Sequence, residues 1–150
     1  MLEYLNRLVQ YLSEEITEVA VKGSPQALWA PQAYDLLNYS GIVLVWIDSV
    51  PSYVDKSLKL EPGDTLPHKF IQNIRIVISV GLRTMVDAPD LDLLVEKVSN
   101  KLIHLKIGDY SGLRPISISK INVDANSVYW RQLYFETSKQ ILVEPVILAL

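Results

Sequence analysis

The sequence predicts a single α+β domain: a small, mainly antiparallel sheet flanked by helices, with a long arm between two strands. Three observations carry that prediction. Two segments repeat apolar residues at the helical period. One long segment, Phe70 to Arg83, alternates them at the period of a strand. A chain of 150 residues is also the size of one hydrophobic core, and neither an internal repeat nor a linker-like boundary divides it.

The first helix is marked by Leu2, Leu5, Leu8, Val9, Leu12, Ile16 and Val19, with Glu14, Glu15 and Glu18 between them. Lys22-Gly23-Ser24-Pro25 is expected to end it, Gly lying near the cap and Pro beyond. A short helix is expected around Gln32 to Asn38, after Pro31. Gly41 to Ile47 is apolar at both parities and rich in β-branched residues, the pattern of a strand covered on both faces. The polar stretch Ser49 to Lys69, with Pro51, Pro62, Gly63 and Pro67, predicts a long loop or arm.

In the strand Phe70 to Arg83, one face takes Phe70, Ile74, Ile76, Ile78, Val80 and Leu82. The other takes Asn73, Arg75, Ser79 and Arg83. Its length predicts that it projects past the core or crosses a wide sheet. Asp87-Ala88-Pro89-Asp90 opens a second helix, whose stripe is Leu91, Leu94, Val95, Val98, Leu102 and Leu105, with Gly108 as its stop. Pro115 to Val123 predicts a strand, and its apolar parity changes between Ile116/Ile118 and Ile121/Val123, so a bulge or twist is expected near Ser119. Asp124 to Ser127 is a turn, and Val128 to Val143 supplies one long strand or two short ones.

A net charge of -3 and a pI near 5.3 argue against a surface that grips nucleic-acid phosphates, although DNA can still slide past a weakly acidic wall. Cysteine is absent, which removes disulfides, thiolate metal sites and a thiol nucleophile. The first twenty positions carry charge throughout, unlike a signal peptide, and the apolar runs Ile42–Ile47 and Ile141–Leu150 are too short to span a bilayer. A soluble protein with no membrane partner is expected.

Catalytic chemistry is not expected. His68 and His104 have no His, Cys or carboxylate at metal-ligand spacing. Asp87, Asp90 and Asp92 lack the glycine and closing glutamate of a calcium loop, and helix capping accounts for them. Gly108 to Gly112 follows a helix instead of opening one, so it is not a phosphate cradle. No nucleophile-elbow or triad motif is present. The expectation is a non-enzyme with no cofactor and no metal.

Large side chains offer a different use. Trp46 is expected in the core and Trp29 at its edge. Tyr129 to Phe135 places bulky residues on both faces of a strand, which fits either a two-sided core strand or one face meeting another subunit. On the second reading the interface takes Trp130, Arg131 and Tyr134 with Arg83. Ile141 and Val143, followed by Val146 and Leu148, either add a strand to a neighbouring subunit or pair within their own sheet.

Several of these segments together resemble the tail terminator (tail completion) proteins of tailed bacteriophages, most of all the Mu-like prophage variety with contractile tails. The matching positions are Ile74 to Val80, Leu94-Val95-Glu96-Lys97-Val98, Leu102, Gly108, Pro115, and Tyr129-Trp130 through Phe135-Glu136-Thr137. The resemblance spans most of the chain through diffuse apolar patterns, without a diagnostic motif. It implies a hexameric homo-oligomer that caps the tail tube, ends tail elongation and joins the tail to the head-side connector. Tube and sheath proteins would be partners, DNA would pass through the ring without sequence-specific binding, and the protein would belong to the virion after assembly in the host cytoplasm. A neck or head-completion adaptor is the alternative within that setting. A small ligand-binding or enzymatic module is the alternative outside it, and it predicts a monomer or dimer with a deep polar pocket.

Overall fold

A computed structural model of the chain describes residues 2–24, 41–48, 51–57, 68–83, 88–125, 127–144 and 146–150. In chain order these form α1 (Leu2–Glu15), β1 (Ala20–Ser24), β2 (Gly41–Ile47), β3 (Ser52–Asp55) and β4 (His68–Leu82). They continue with α2 (Ala88–Leu102), β5 (Arg114–Ile118), β6 (Asn122–Val123) and β7 (Tyr129–Val143). The fold is α+β. Its strands make one mixed sheet in the order β1-β2-β4-β7-β5, with β3 beside β4 and β6 beside β7. Only β1 and β2 pair in parallel among the described strands; the other pairs are antiparallel.

The sheet is organised by β4 and β7, which pair without a break from His68↔Val143 to Leu82↔Tyr129. At about 3.4 Å per residue this ladder runs for roughly 50 Å, well beyond an ordinary strand. Val128 to Val143 is therefore one long strand from Tyr129 on, not two. The ladder has two unlike halves. From Ile74 to Val80 the side chains on the helix side of β4 are fully buried, whereas His68 to Asn73 are only half-buried. The long strand thus both fills the core and projects from it.

The helix-side core joins Leu5, Leu8 and Leu12 of α1 to Leu91, Val95 and Val98 of α2, over Val43, Ile76, Ile78 and Phe135 of the sheet. The helices are also stitched to each other. The Tyr11 hydroxyl donates to the Lys101 carbonyl at 3.2 Å, near the C-terminal end of α2 where carbonyls lack helical partners. Lys97 pairs with Glu18 at 2.6 Å and Lys101 with Glu15 at 3.0 Å. These pairs are exposed and screened by solvent, so they orient the helices more than they stabilise them.

The opposite face carries a second cluster: Ile42, Leu44, Trp46, Val77, Val128 and Trp130. This corrects the expectation of a polar outer face on β4, because Val77, Ser79 and Gly81 are all buried. Gly81 is the reason a second tryptophan fits. A Cβ there would lie 2.7 Å from the Trp130 ring, inside any tolerable contact.

Three local expectations change. α1 ends at Glu15, and Ile16 stays in the core without belonging to the helix. The β-branched run that follows favours the extended β1. Gly23 therefore lies in a strand instead of capping a helix, and a Cβ on it would meet Val9 of α1 at 2.9 Å. α2 ends at Leu102, earlier than the stop expected at Gly108: His104 already adopts the left-handed conformation (φ 64°), as Gly108 does further on (φ 56°), and the His104 amide donates to the Leu113 carbonyl at 2.9 Å. The expected arm contains β3, which pairs with β4 through Ser52↔Asn73 to Asp55↔Phe70, and β4 begins two residues early at His68. Residues 58–67 of the arm, the helix expected at Gln32 to Asn38, and Trp29 lie outside the described residues.

The Gly81 contact gives a direct test. Gly81→Ala should destabilise the chain by about 1–3 kcal/mol, the usual effect of overpacking. Urea unfolding should show a lower midpoint with an unchanged slope.

Candidate functional site

The residues proposed for an interface do not form one patch. Trp130 is internal to the chain, 1% exposed, and its indole donates to the Asp124 carboxylate at 2.9 Å. The same carboxylate accepts the Val128 amide at 3.0 Å, so Asp124 fixes both the turn into β7 and the ring that follows it. Of the two sequence readings of this strand, Trp130 follows the two-sided core strand and not the subunit contact: its area is already spent on the second cluster. Tyr134, on the same face, is half-buried, and its hydroxyl donates to Gln132 at 2.6 Å.

Arg131 points to the other face, where it pairs with Asp92 of α2 at 2.8 Å and donates to the Ser119 carbonyl at 3.2 Å. It ties the start of α2 to β7, and it gives Asp92 a structural partner. Arg83 lies just past the end of β4 and is half-buried. Ile141 and Val143 belong to the projecting end of β7, far along the strand from Trp130. Val146 and Leu148 follow and are 83% exposed each.

Exposed apolar side chains instead gather in two places. One is the projecting end of the sheet, with Tyr53 and Val54 on β3, Leu142 and Val143 on β7, and then Val146, Ile147, Leu148 and Leu150. The other is the free edge formed by β5 and β6, where Ile116, Ile118, Ile121 and Val123 are all exposed. The sequence reading found this strand but not its position. Isoleucines at both parities separated by Ser and Lys were its signal, and only the pairing with β7 shows that the strand is an edge. The register shift with β7 lies between Pro115 and Ser117, earlier than the bulge or twist expected near Ser119, where residues 119–121 instead separate β5 from β6.

A cleft of about 660 Å³ opens between α1 and the loop after α2. Tyr4, Tyr11 and Tyr110 line it with Arg7, Lys106 and Lys139, alongside Glu3 and Asp109. The Tyr4 and Tyr110 rings are tilted with centroids 4.7 Å apart, and the Lys139 ammonium lies 5.3 Å from the Tyr110 centroid. Tyr4 itself is 3% exposed, and its hydroxyl makes no hydrogen bond among the described residues. Burial pushes its phenol up to about 12. The nearby Thr137 hydroxyl opposes that shift only in part, because it donates to the Ser111 carbonyl at 2.7 Å.

The histidines are far apart in role. His68 lies at the start of β4 with Nδ1 3.3 Å from the Ser57 hydroxyl, while His104 is exposed at the end of α2. Among the described residues, no three His, Asp or Glu side chains come together in a group fit to hold a metal ion. No described helix is long and apolar enough to cross a membrane.

No protein-family model matches the chain, and no curated protein matches it in sequence. A solved structure shares the fold with a TM-score of 0.50 at 10% identity, over 97% of this chain and 93% of that one. At that identity the likeness concerns fold alone.

Tyr4 supplies a pH test. Its folded value lies above the ordinary value of 10.0, so the stability it confers is full below about pH 10 and is lost as pH rises toward 12. Tyr4→Phe should be as stable as the native chain or up to about 1 kcal/mol more stable near neutrality, since it removes an unpaired buried hydroxyl. Between about pH 10 and about pH 12 the native chain should lose more stability than the variant in denaturant titrations.

Proposed function

We propose that this chain is a structural subunit that assembles with copies of itself into a ring, of the kind that closes the tube of a phage-like contractile tail. The observation that carries self-assembly is the exposed apolar surface: the β5–β6 edge, the projecting end of the sheet and the segment Val146 to Leu150. An isolated protomer leaves these side chains in water, and exposure on that scale marks an interaction surface. The unequal halves of β4 and β7 support the same reading, because a ribbon that extends from a core presents surface for another molecule to cover.

The tail-terminator form of the ring rests on the sequence resemblance. In that form the ring is hexameric, belongs to the virion, contacts the tube and sheath below and the head-side connector above, and lets DNA pass. A neck adaptor would use the same kind of surfaces and is separated from a terminator by whether the purified protein binds tail tubes or portal rings. A ligand-binding module is the second reading, favoured by the tyrosine-lined cleft. It requires a chain that remains monomeric or dimeric.

Negative-stain imaging and light scattering of the purified chain test the proposal. Rings with a central channel are expected, and a monomer at all concentrations would reject them. Deleting Glu144 to Leu150 should weaken the oligomer while leaving the circular dichroism spectrum of the protomer intact.

A further inference from the structure

We infer that the segment Val146–Leu150 of one copy docks as an added strand on the β5–β6 edge of a second copy. The inference deepens the ring reading and rests on it, because it names the two surfaces that meet. Both are incomplete as they stand. Val146, Ile147 and Leu148 are between 83% and 85% exposed and belong to no strand. β5 ends the sheet, every residue of β5 and β6 is exposed, and their outer side has no strand partner among the described residues. An edge with unpaired amides and carbonyls and a row of Ile and Val side chains is a template for an extended apolar segment.

Reach makes the contact intermolecular. The segment departs from Val143, which pairs with His68 at the far end of the ladder. β5 begins beside β7 at Glu136 and Phe135, and β6 ends beside Tyr129. Along β7 the distance from Val143 to Glu136, where β5 begins, is about 24 Å, and to Tyr129 about 48 Å, at about 3.4 Å per residue. Fully extended, the chain from Val143 to Leu150 spans at most about 25 Å, before any of it is used to turn back. At most its last residue could therefore touch the start of its own β5, so Val146–Leu150 cannot lie along its own β5–β6 edge, and the edge it can cover is a neighbour's.

Donor and acceptor are different surfaces, so the contact is head-to-tail. Repetition of such a contact closes a ring when the rotation permits and otherwise continues as a filament. The lengths also agree: β5 offers a five-residue strand, Arg114–Ile118, before residues 119–121 interrupt the edge.

The absence of cysteine from the sequence allows a clean crosslinking test in the full chain. Ile118→Cys chains are mixed with Leu148→Cys chains and oxidised. A parallel mixture uses Ile147→Cys, because adjacent side chains of a strand face opposite ways. Circular dichroism confirms that each variant folds. In at least one mixture, mixed disulfide dimers should exceed both same-variant dimers by about tenfold, against the twofold excess of random encounter. Dominant Ile118→Cys self-linkage would overturn the inference in favour of edge-to-edge pairing, and random or absent linkage in a chain that still forms rings would overturn it while leaving the ring reading intact. Mixed linkage in a chain that scatters light only as a dimer would instead support the docking and reject the ring, as a reciprocal exchange of segments. A chain that is monomeric and unlinked rejects both.

Discussion

Everything else in this fold is attached to the pairing of β4 with β7. β2 and β3 hydrogen-bond to one side of β4, one after the other along its length, and β5 and β6 do the same along the outer side of β7. Both helices lie over the inner half of that ladder. Register in such a pair is set by which side chains must be buried, and a slip by one residue would exchange the two faces. Here the faces are not interchangeable. Ile74, Ile76, Ile78 and Val80 fit beneath two helices, whereas Val77, Ser79 and Gly81 make a shallower bed for two tryptophans. Gly81 opposite Trp130 is the least forgiving of these positions, since any Cβ would occupy the space of the ring.

Polar groups then anchor the ends of the ladder. Asp124 holds the turn into β7 and the Trp130 indole together. Arg131 connects β7 to α2 through Asp92. The Ser111 amide donates to the Ser138 carbonyl, its hydroxyl accepts from the Ser138 amide and its carbonyl accepts from the Thr137 hydroxyl, which fastens the loop after α2 to the strand just where the core gives way to the projecting ribbon. The Tyr4 hydroxyl is the local exception. It is buried beside this junction with no hydrogen-bond partner among the described residues, so the cleft above it is bounded by an unpaired phenol as well as by aromatic packing.

The parts of the structure legible in the sequence are those governed by periodicity over many residues. The α2 stripe, the buried β2 and the helix-side face of β4 all appear where their patterns place them. β1 and β3 were not legible, since strands of five and four residues owe their existence to a neighbour's free edge and not to their own pattern. Trp130 shows the limit for sites. An aromatic residue in a two-sided strand looks the same in sequence whether its second face meets a subunit or a small intrachain cluster, and the deciding feature, Gly81, lies 49 positions earlier in the chain. The β5–β6 edge was hidden for the converse reason: its isoleucines resemble a core strand, and exposure follows only from where the sheet stops.

An exposed edge of this kind is a hazard unless its pairing is restricted, and the chain carries the restrictions. Pro115 removes one amide at the start of β5, the register shift beside it bends the strand, and the interruption containing Lys120 separates β5 from β6. What remains open is short. A long flat edge would recruit any extended chain and grow without limit, whereas a broken edge of about five residues accepts a short apolar segment and then stops. That restriction is what a subunit needs if it is to join a closed assembly, because each copy then spends one segment and one edge, and a completed ring has neither left to offer.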